Sequence, residues 1–232
     1  MTRMIDILAV ASDYDETLAC EGRVDPQTWE ALLRFKASGK KVILVTGREL
    51  DDLFSVCPDL SIFNAVVAEN GAVLYLPSTR RLVCLAGSPP RSFIETLRQR
   101  GVQPLSVGHS IVATLRPQYE KLQSTINEMG IDLQIIFNRT SIMALPSETN
   151  KGTGLQSALQ ELGIPADRVV GIGDAENDEA FLGMCGLYTV VANALPPLKQ
   201  AADLVSLQEC GPGVVEIIEK ILASQLSLLL RH

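Results

Sequence analysis

Residues 7–19 read ILAVASDYDETLA. The apolar run 5–11 predicts a strand that ends in two carboxylates, Asp13 and Asp15, with Thr17 two residues further on. A continuous apolar run marks a strand buried on both faces of a parallel sheet. Ligands of such sheets bind at the carboxyl ends of the strands. Two carboxylates there can hold a hard cation, act as nucleophile and acid, or do both. The plainer reading is an acidic turn in which Asp15 caps whatever follows.

Outward from this run, strand-like and helix-like segments alternate. Asp25 and Pro26 read as the cap and first position of a helix over 25–38, with Trp29, Leu32, Leu33 and Phe35 on its apolar face and Gly39 at its end. KKVILVTG (40–47) reads as a second buried strand, 49–57 as a helix, and AVVAENG (65–71) as a third strand. Residues 72–85 form a hairpin around 77–80. Later, RVVGIGDAEND (168–178) runs from strand to loop to helix, and GLYTVVAN (186–193) and ADLVS (202–206) are short strands with a helix between. Residues 214–230 are apolar but interrupted by charge, which predicts an amphipathic helix packed on the body or on a partner. The alternation predicts an α/β fold, a Rossmann-like parallel sheet core with helices on both faces.

The middle of the chain differs. The order helix, strand, strand occurs twice: 89–100, 102–107 and 110–115, then 117–129, 133–137 and 141–145. The two strand pairs turn around Gly108 and His109 and around Asn138 and Arg139. This inserted α+β unit is expected to sit over the strand ends as a lid. The expected division is a catalytic core of 1–83 and 147–232 and a cap of 84–146.

Of 232 residues, 47% are hydrophobic and 20% charged, enough for a sizeable core in one domain with an insertion or in two small ones. A formal charge of -7 disfavours nucleic acid and anionic lipid as partners. Cys20, Cys57, Cys84, Cys185 and Cys210 are odd in number and lack a CxxC, which suggests reduced thiols in a cytoplasmic protein rather than a disulfide framework or zinc site. No signal-peptide pattern opens the chain, and no apolar run reaches the length of a membrane span.

Three further runs fall at predicted strand or helix ends. VTGRE carries Thr46, Gly47 and Arg48; TNKGTGL carries Lys151; GIGDAEND carries Asp174, Asn177 and Asp178. Each alone reads as well as a turn, a solvated lysine or a helix-start charge. Together, in this order at one sheet edge, they resemble the motif set of the haloacid dehalogenase (HAD) superfamily of phosphatases. DYDET matches its DxDxT motif, VTGR the Thr/Ser motif, Lys151 the basic motif and GDAEND the GDxxND motif. AENGA, VANA and the position of the insert are similar to its Cof-like branch. Glu16 stands where many relatives have glycine.

The resemblance implies a Mg²⁺-dependent phosphatase that works through an aspartyl-phosphate. Asp13 would be nucleophile and metal ligand. Asp15 would be acid and base, lending the metal its backbone carbonyl. Asp174 would ligate directly, and Asp178 would ligate or hold a metal-bound water. Thr46, Gly47 and Lys151 would hold the phosphate, and Asn177 would orient Lys151 or the phosphate. Arg48 reaches the substrate or forms a surface ion pair. His109, Arg116, Asn138 and Arg139, at cap hairpin tips and strand ends, would meet the rest of the substrate or lie in solvent. The implied partner is a small phosphorylated metabolite of phosphosugar or phosphoglycolate size. A phosphomutase and a non-catalytic regulatory module retaining the fold are the alternatives.

Overall fold

The computed structural model describes residues 6–57 and 59–223. Its larger sheet has the strand order β12-β11-β10-β1-β2-β3-β4-β5. The strands are β1 (Ala9–Ser12), β2 (Lys41–Val45), β3 (Ala65–Ala68), β4 (Val73–Leu76), β5 (Arg81–Cys84), β10 (Val169–Gly173), β11 (Leu187–Val190) and β12 (Leu204–Val205). Pairing is parallel from β12 to β3, and the β4–β5 hairpin extends the sheet antiparallel. Ser12 lies level with Leu44 of β2 and with Ile172 of β10. This register brings Asp13, Thr46 and Asp174, each just beyond a strand end, to one edge.

Helices cover both faces. Val10, Val42 and Leu44 pack with α1 (Pro26–Ala37), α2 (Leu50–Val56) and α8 (Cys210–Leu222). Ala9, Ala11, Ile43 and Val45 pack with α5 (Lys151–Leu162), α6 (Glu179–Leu182) and α7 (Pro196–Ala201). The alternation within each strand follows from its period of two.

A second, antiparallel sheet has the order β6-β7-β9-β8, from β6 (Ser106–Val107), β7 (Val112–Leu115), β8 (Leu133–Asn138) and β9 (Ser141–Pro146). Val112, Ile142 and Ala144 on one face pack against α3 (Arg91–Gln99) and α4 (Tyr119–Met129) through Phe93, Leu97, Leu122 and Ile126. The other face, with Ile111, Met143 and Leu145, meets Ala72 of the larger layer. The antiparallel sheet and its own small core are what a cap requires.

Several expectations shift. β1 begins at Ala9, and Ile5 lies outside the described residues. The AVVAENG strand stops at Ala68, because Glu69, Asn70 and Gly71 take φ of 53°, 52° and 101°, and left-handed backbone cannot continue a ladder. A Cβ on Gly71 would lie 1.9 Å from the Asn150 carbonyl oxygen, so glycine lets this turn approach the start of α5. In α1 the buried stripe is Thr28, Ala31, Leu32 and Phe35, while Leu33 is exposed. The strand expected over 102–107 shrinks to Ser106–Val107; Pro104, which has no N–H, interrupts it. The last helix starts at Cys210 rather than Val214 and packs along α1; the part expected over 224–230 lies outside the described residues. Among the described residues no helix is long and apolar enough to cross a membrane.

Candidate active site

Lys151 opens α5, and local sequence fixes it there. The Asn150 side chain accepts from the Gly152 and Thr153 N–H groups, and Thr153 Oγ1 accepts from the Asn150 N–H. This reciprocal cap satisfies N–H groups that a helix start otherwise leaves open. The Lys151 side chain is fully buried, with Nζ 2.5 Å from Asp13 Oδ1 and 2.6 Å from Asp178 Oδ1. Asp178 Oδ2 accepts from the Asp174 and Ala175 N–H groups, closing the GDAEND loop on itself. Thr17 donates to Asp174 Oδ1 at 2.9 Å, so the first and last motifs touch.

Carboxylate oxygens of Asp13, Asp174 and Asp178 all lie within 4.8 Å of one another, and all three residues are buried. Three carboxylates around one lysine leave excess negative charge in a low-dielectric site. Burial raises Asp13 well above the ordinary carboxylate range, against the pull of Lys151. Burial and the nearby Asp178 push Asp174 up to about 6, with Arg139 opposing. Burial alone would lower Lys151, but Asp13 and Asp178 reverse this and hold it charged. An all-oxygen donor set of this kind suits a hard cation.

Asp15 lies further out and faces Arg48, whose Nε and Nη2 reach its carboxylate at 2.8 and 2.7 Å. Arg48 also contacts Asp52 at 2.5 Å. Thr46 is buried and its Oγ1 accepts from the Arg48 N–H. Gly47 sits against Asn70. Asn177 donates to Asn70 Oδ1 at 2.9 Å, so it orients this asparagine, while Lys151 is held by Asp13 and Asp178. Glu16 has φ of 58°, the backbone that favours glycine, and its side chain accepts from the Glu21 N–H.

The cap reaches the acidic cluster. Arg139, at the β8–β9 tip, donates from Nε to Asp174 Oδ2 at 2.9 Å and pairs with the same carboxylate through Nη2. Arg116 pairs with Glu176 at 2.7 Å. His109 Nδ1 lies 3.1 Å from Glu69 Oε1, and Glu69, fully buried, also accepts from the His109 and Ser110 N–H groups. Asn138 lines a cavity of about 490 Å³ between the layers, shared with Asp15, Arg48, Glu49, Arg139 and Met143. A larger, mostly apolar cavity of about 660 Å³ beside Trp29 and Val56 holds none of the acidic cluster.

Sequence reasoning gave no role to Glu69, which receives the cap turn at His109 and Ser110, or to Asn70, whose Nδ2 lies 2.7 Å from Met143 Sδ on the cap. The signals were ENG at a strand end, which reads equally well as strand, and the AENGA resemblance, which assigned neither residue a partner. The Arg139–Asp174 pairing had no local signal at all.

The family model for haloacid dehalogenase-like hydrolases matches residues 10–110 and 109–218. The chain is 30% identical over 226 residues to phosphoglycolate phosphatase 2 of Saccharolobus solfataricus, covering 93% of each. It is 28% identical over 220 residues to the phosphoglycolate phosphatase of Methanothermobacter thermautotrophicus, covering 92% of this chain and 98% of that one. Its fold matches the crystal structure of a haloacid dehalogenase-like hydrolase from Bacteroides thetaiotaomicron with a TM-score of 0.79 at 18% identity, over 93% of this chain and 99% of that one. With the model spanning both ends of the larger sheet and the inserted layer between them, the chain belongs to the haloacid dehalogenase-like hydrolases.

Proposed function

We propose that this chain is a Mg²⁺-dependent phosphatase that hydrolyses a small phosphorylated metabolite, of phosphoglycolate or phosphosugar size, through an aspartyl-phosphate on Asp13. The observation that carries the reading is Lys151, buried between Asp13 and Asp178 with Asp174 beside them. The names of the two phosphoglycolate phosphatase relatives support the size of the substrate.

Asp13 and Asp174 would hold the cation, with the Asp15 carbonyl as a further oxygen ligand and Asp178 ordering the loop. Bound Mg²⁺ supplies positive charge between two anions and polarises a phosphoryl oxygen. Asp13 attacks phosphorus, which splits a slow hydrolysis into two easier transfers. Lys151, Thr46 and the Gly47 N–H stabilise the equatorial oxygens as charge builds on them. Arg48 lines the same cavity as Asp15. An incoming anion draws Arg48 away, and Asp15 is then free to protonate the leaving oxygen and later to take a proton from water. Residues 84–146 act as the lid that excludes bulk water and limits substrate size.

The test is phosphate release from a panel of small phosphomonoesters, phosphoglycolate and sugar phosphates included. Release in Mg²⁺, its loss in EDTA and its absence in Asp13→Asn, with an unchanged circular dichroism spectrum, is the expected outcome. Turnover retained by Asp13→Asn removes the nucleophile assignment, and an isomerised product in place of phosphate makes the chain a mutase.

A further inference from the structure

Cys20 and Cys210 are 190 residues apart in sequence, yet their sulfurs lie 2.8 Å apart. Both are free thiols, Cys20 exposed and Cys210 buried. Cys20 sits on the turn that follows DYDET, where its N–H donates to the Arg23 carbonyl and its own carbonyl accepts from the Arg23 N–H. Cys210 opens α8 and donates its N–H to Asn193 Oδ1, while Asn193 Nδ2 donates to the Glu16 carbonyl. The sulfur contact and the Asn193 bridge therefore join the same two segments. One is the loop that carries Asp15, and the other is the start of α8.

The separation discriminates between the two things a thiol pair can do. Thiolates on a tetrahedral zinc, at Zn–S of about 2.3 Å, stand roughly 3.7 Å apart. A disulfide needs about 2.05 Å, so these sulfurs close by about 0.8 Å to bond, whereas zinc would have to push them apart. Glu16 Oε2, 4.0 Å from Cys210 Sγ, is the only third ligand grouped with them among the described residues.

We propose that Cys20 and Cys210 form a thiol-oxidation site at which a hydroperoxide generates an intramolecular disulfide, clamping the Asp15 loop to α8. Exposed Cys20 reacts first. Its thiolate attacks one peroxide oxygen, the O–O bond breaks, hydroxide leaves and Cys20 becomes a sulfenic acid. Burial pushes the Cys210 thiol up, as does its contact with Cys20, so it keeps its proton until this stage. Cys210 Sγ then attacks Cys20 Sγ; the S–S bond forms, the S–O bond breaks, and the Cys210 proton leaves with the hydroxyl as water. Two thiols and one hydrogen peroxide give one disulfide and two waters. The sulfurs lose the two electrons that the peroxide oxygens gain. Glu16 adjoins Asp15, and a displacement of about 1 Å in a catalytic site can cost about a hundredfold in rate.

The full chain is treated with one equivalent of hydrogen peroxide, alkylated, digested and mapped by mass spectrometry. The expected result is a Cys20–Cys210 linked peptide, with Cys57, Cys84 and Cys185 alkylated, reversed by dithiothreitol and absent in Cys20→Ser. Hydrogen exchange over residues 14–20 slows on oxidation of the native chain but not of Cys20→Ser. This measurement needs no substrate and stands whether or not the phosphatase reading does. On that reading, turnover also falls about tenfold or more on oxidation, recovers on reduction, and is insensitive to peroxide in Cys20→Ser. Conversion of Cys20 to sulfinic acid with no linked peptide overturns the site. A link that leaves both exchange and turnover unchanged overturns the clamp. One zinc ion bound by the reduced chain, lost in Cys20→Ser and shielding both thiols from peroxide, replaces the disulfide with a metal site.

Discussion

Arg139 occupies the carboxylate that the proposed cation needs. Its guanidinium pairs with Asp174, and its Nη2 also reaches the Asn193 carbonyl at 3.3 Å. A metal bound by Asp174 has to compete with this contact. Removing the arginine should therefore tighten Mg²⁺ binding, whereas removing a true ligand weakens it. For a half-exposed charged hydrogen bond, the low end of the usual ~1.5–3 kcal/mol range corresponds to about a tenfold lower Kd for Arg139→Ala. Isothermal titration calorimetry with Mg²⁺ measures this directly, and an unchanged or higher Kd shows that Arg139 is no competitor. Lys151 behaves differently, because it lies between two carboxylates and is buried. Lys151→Ala leaves those charges uncompensated, so a stability loss of about 3–5 kcal/mol is expected along with lost phosphate binding, read from the thermal unfolding midpoint.

Helix α1 shows how a local signal becomes a stability term. The Asp25 carboxylate accepts from the Thr28 N–H at 3.0 Å and from Thr28 Oγ1 at 2.6 Å, ahead of Pro26 at the first helical position. Burial is the largest single influence and pushes the Asp25 carboxyl up, but the bonds from Thr28 and from the Gln27 and Asp25 backbone together outweigh it and hold the group below its ordinary 3.8. A carboxylate depressed in the folded state stabilises above its unfolded value, and the contribution disappears as pH falls through the folded value. Asp25→Ala should cost about 1 kcal/mol at neutral pH. Denaturant titrations should show the gap between native and variant chains closing below pH 3.8 and staying constant above pH 5 or so. Leu33 shows the limit of periodicity. It fits an apolar stripe in sequence, but the stripe that meets the sheet runs through Ala31 and Leu32. A helix alone does not reveal which edge of an apolar arc its neighbours will cover.

Between the two layers, one fully buried carboxylate anchors a turn of the cap. Glu69 lies on the core side and receives two backbone N–H groups from the cap turn at His109 and Ser110. Replacing it with alanine leaves those donors short of a partner, at about 1–3 kcal/mol each if they stay buried. Glu69→Ala should therefore raise hydrogen exchange across residues 106–113 while leaving β1 and β10 protected. Uniform loss of protection would show instead that the layers unfold as one unit. The strands, the helices, the insert and the residues brought to one sheet edge were legible in sequence, because apolar runs, caps and turn residues act over a few neighbours. Asp13, Thr46 and Asp174 followed from that local order, since a parallel register aligns strand ends. The Arg139–Asp174 pair, the Glu69 anchor and the Cys20–Cys210 contact were not legible, because each joins segments 35 to 190 residues apart, brought together across the two layers in the first two cases and within the larger layer in the third. Sequence by itself determined which chemical groups the strand ends carry. Only the tertiary structure decided which charges those groups face, because a side chain's partner is set by the elements packed against it and not by its neighbours along the chain.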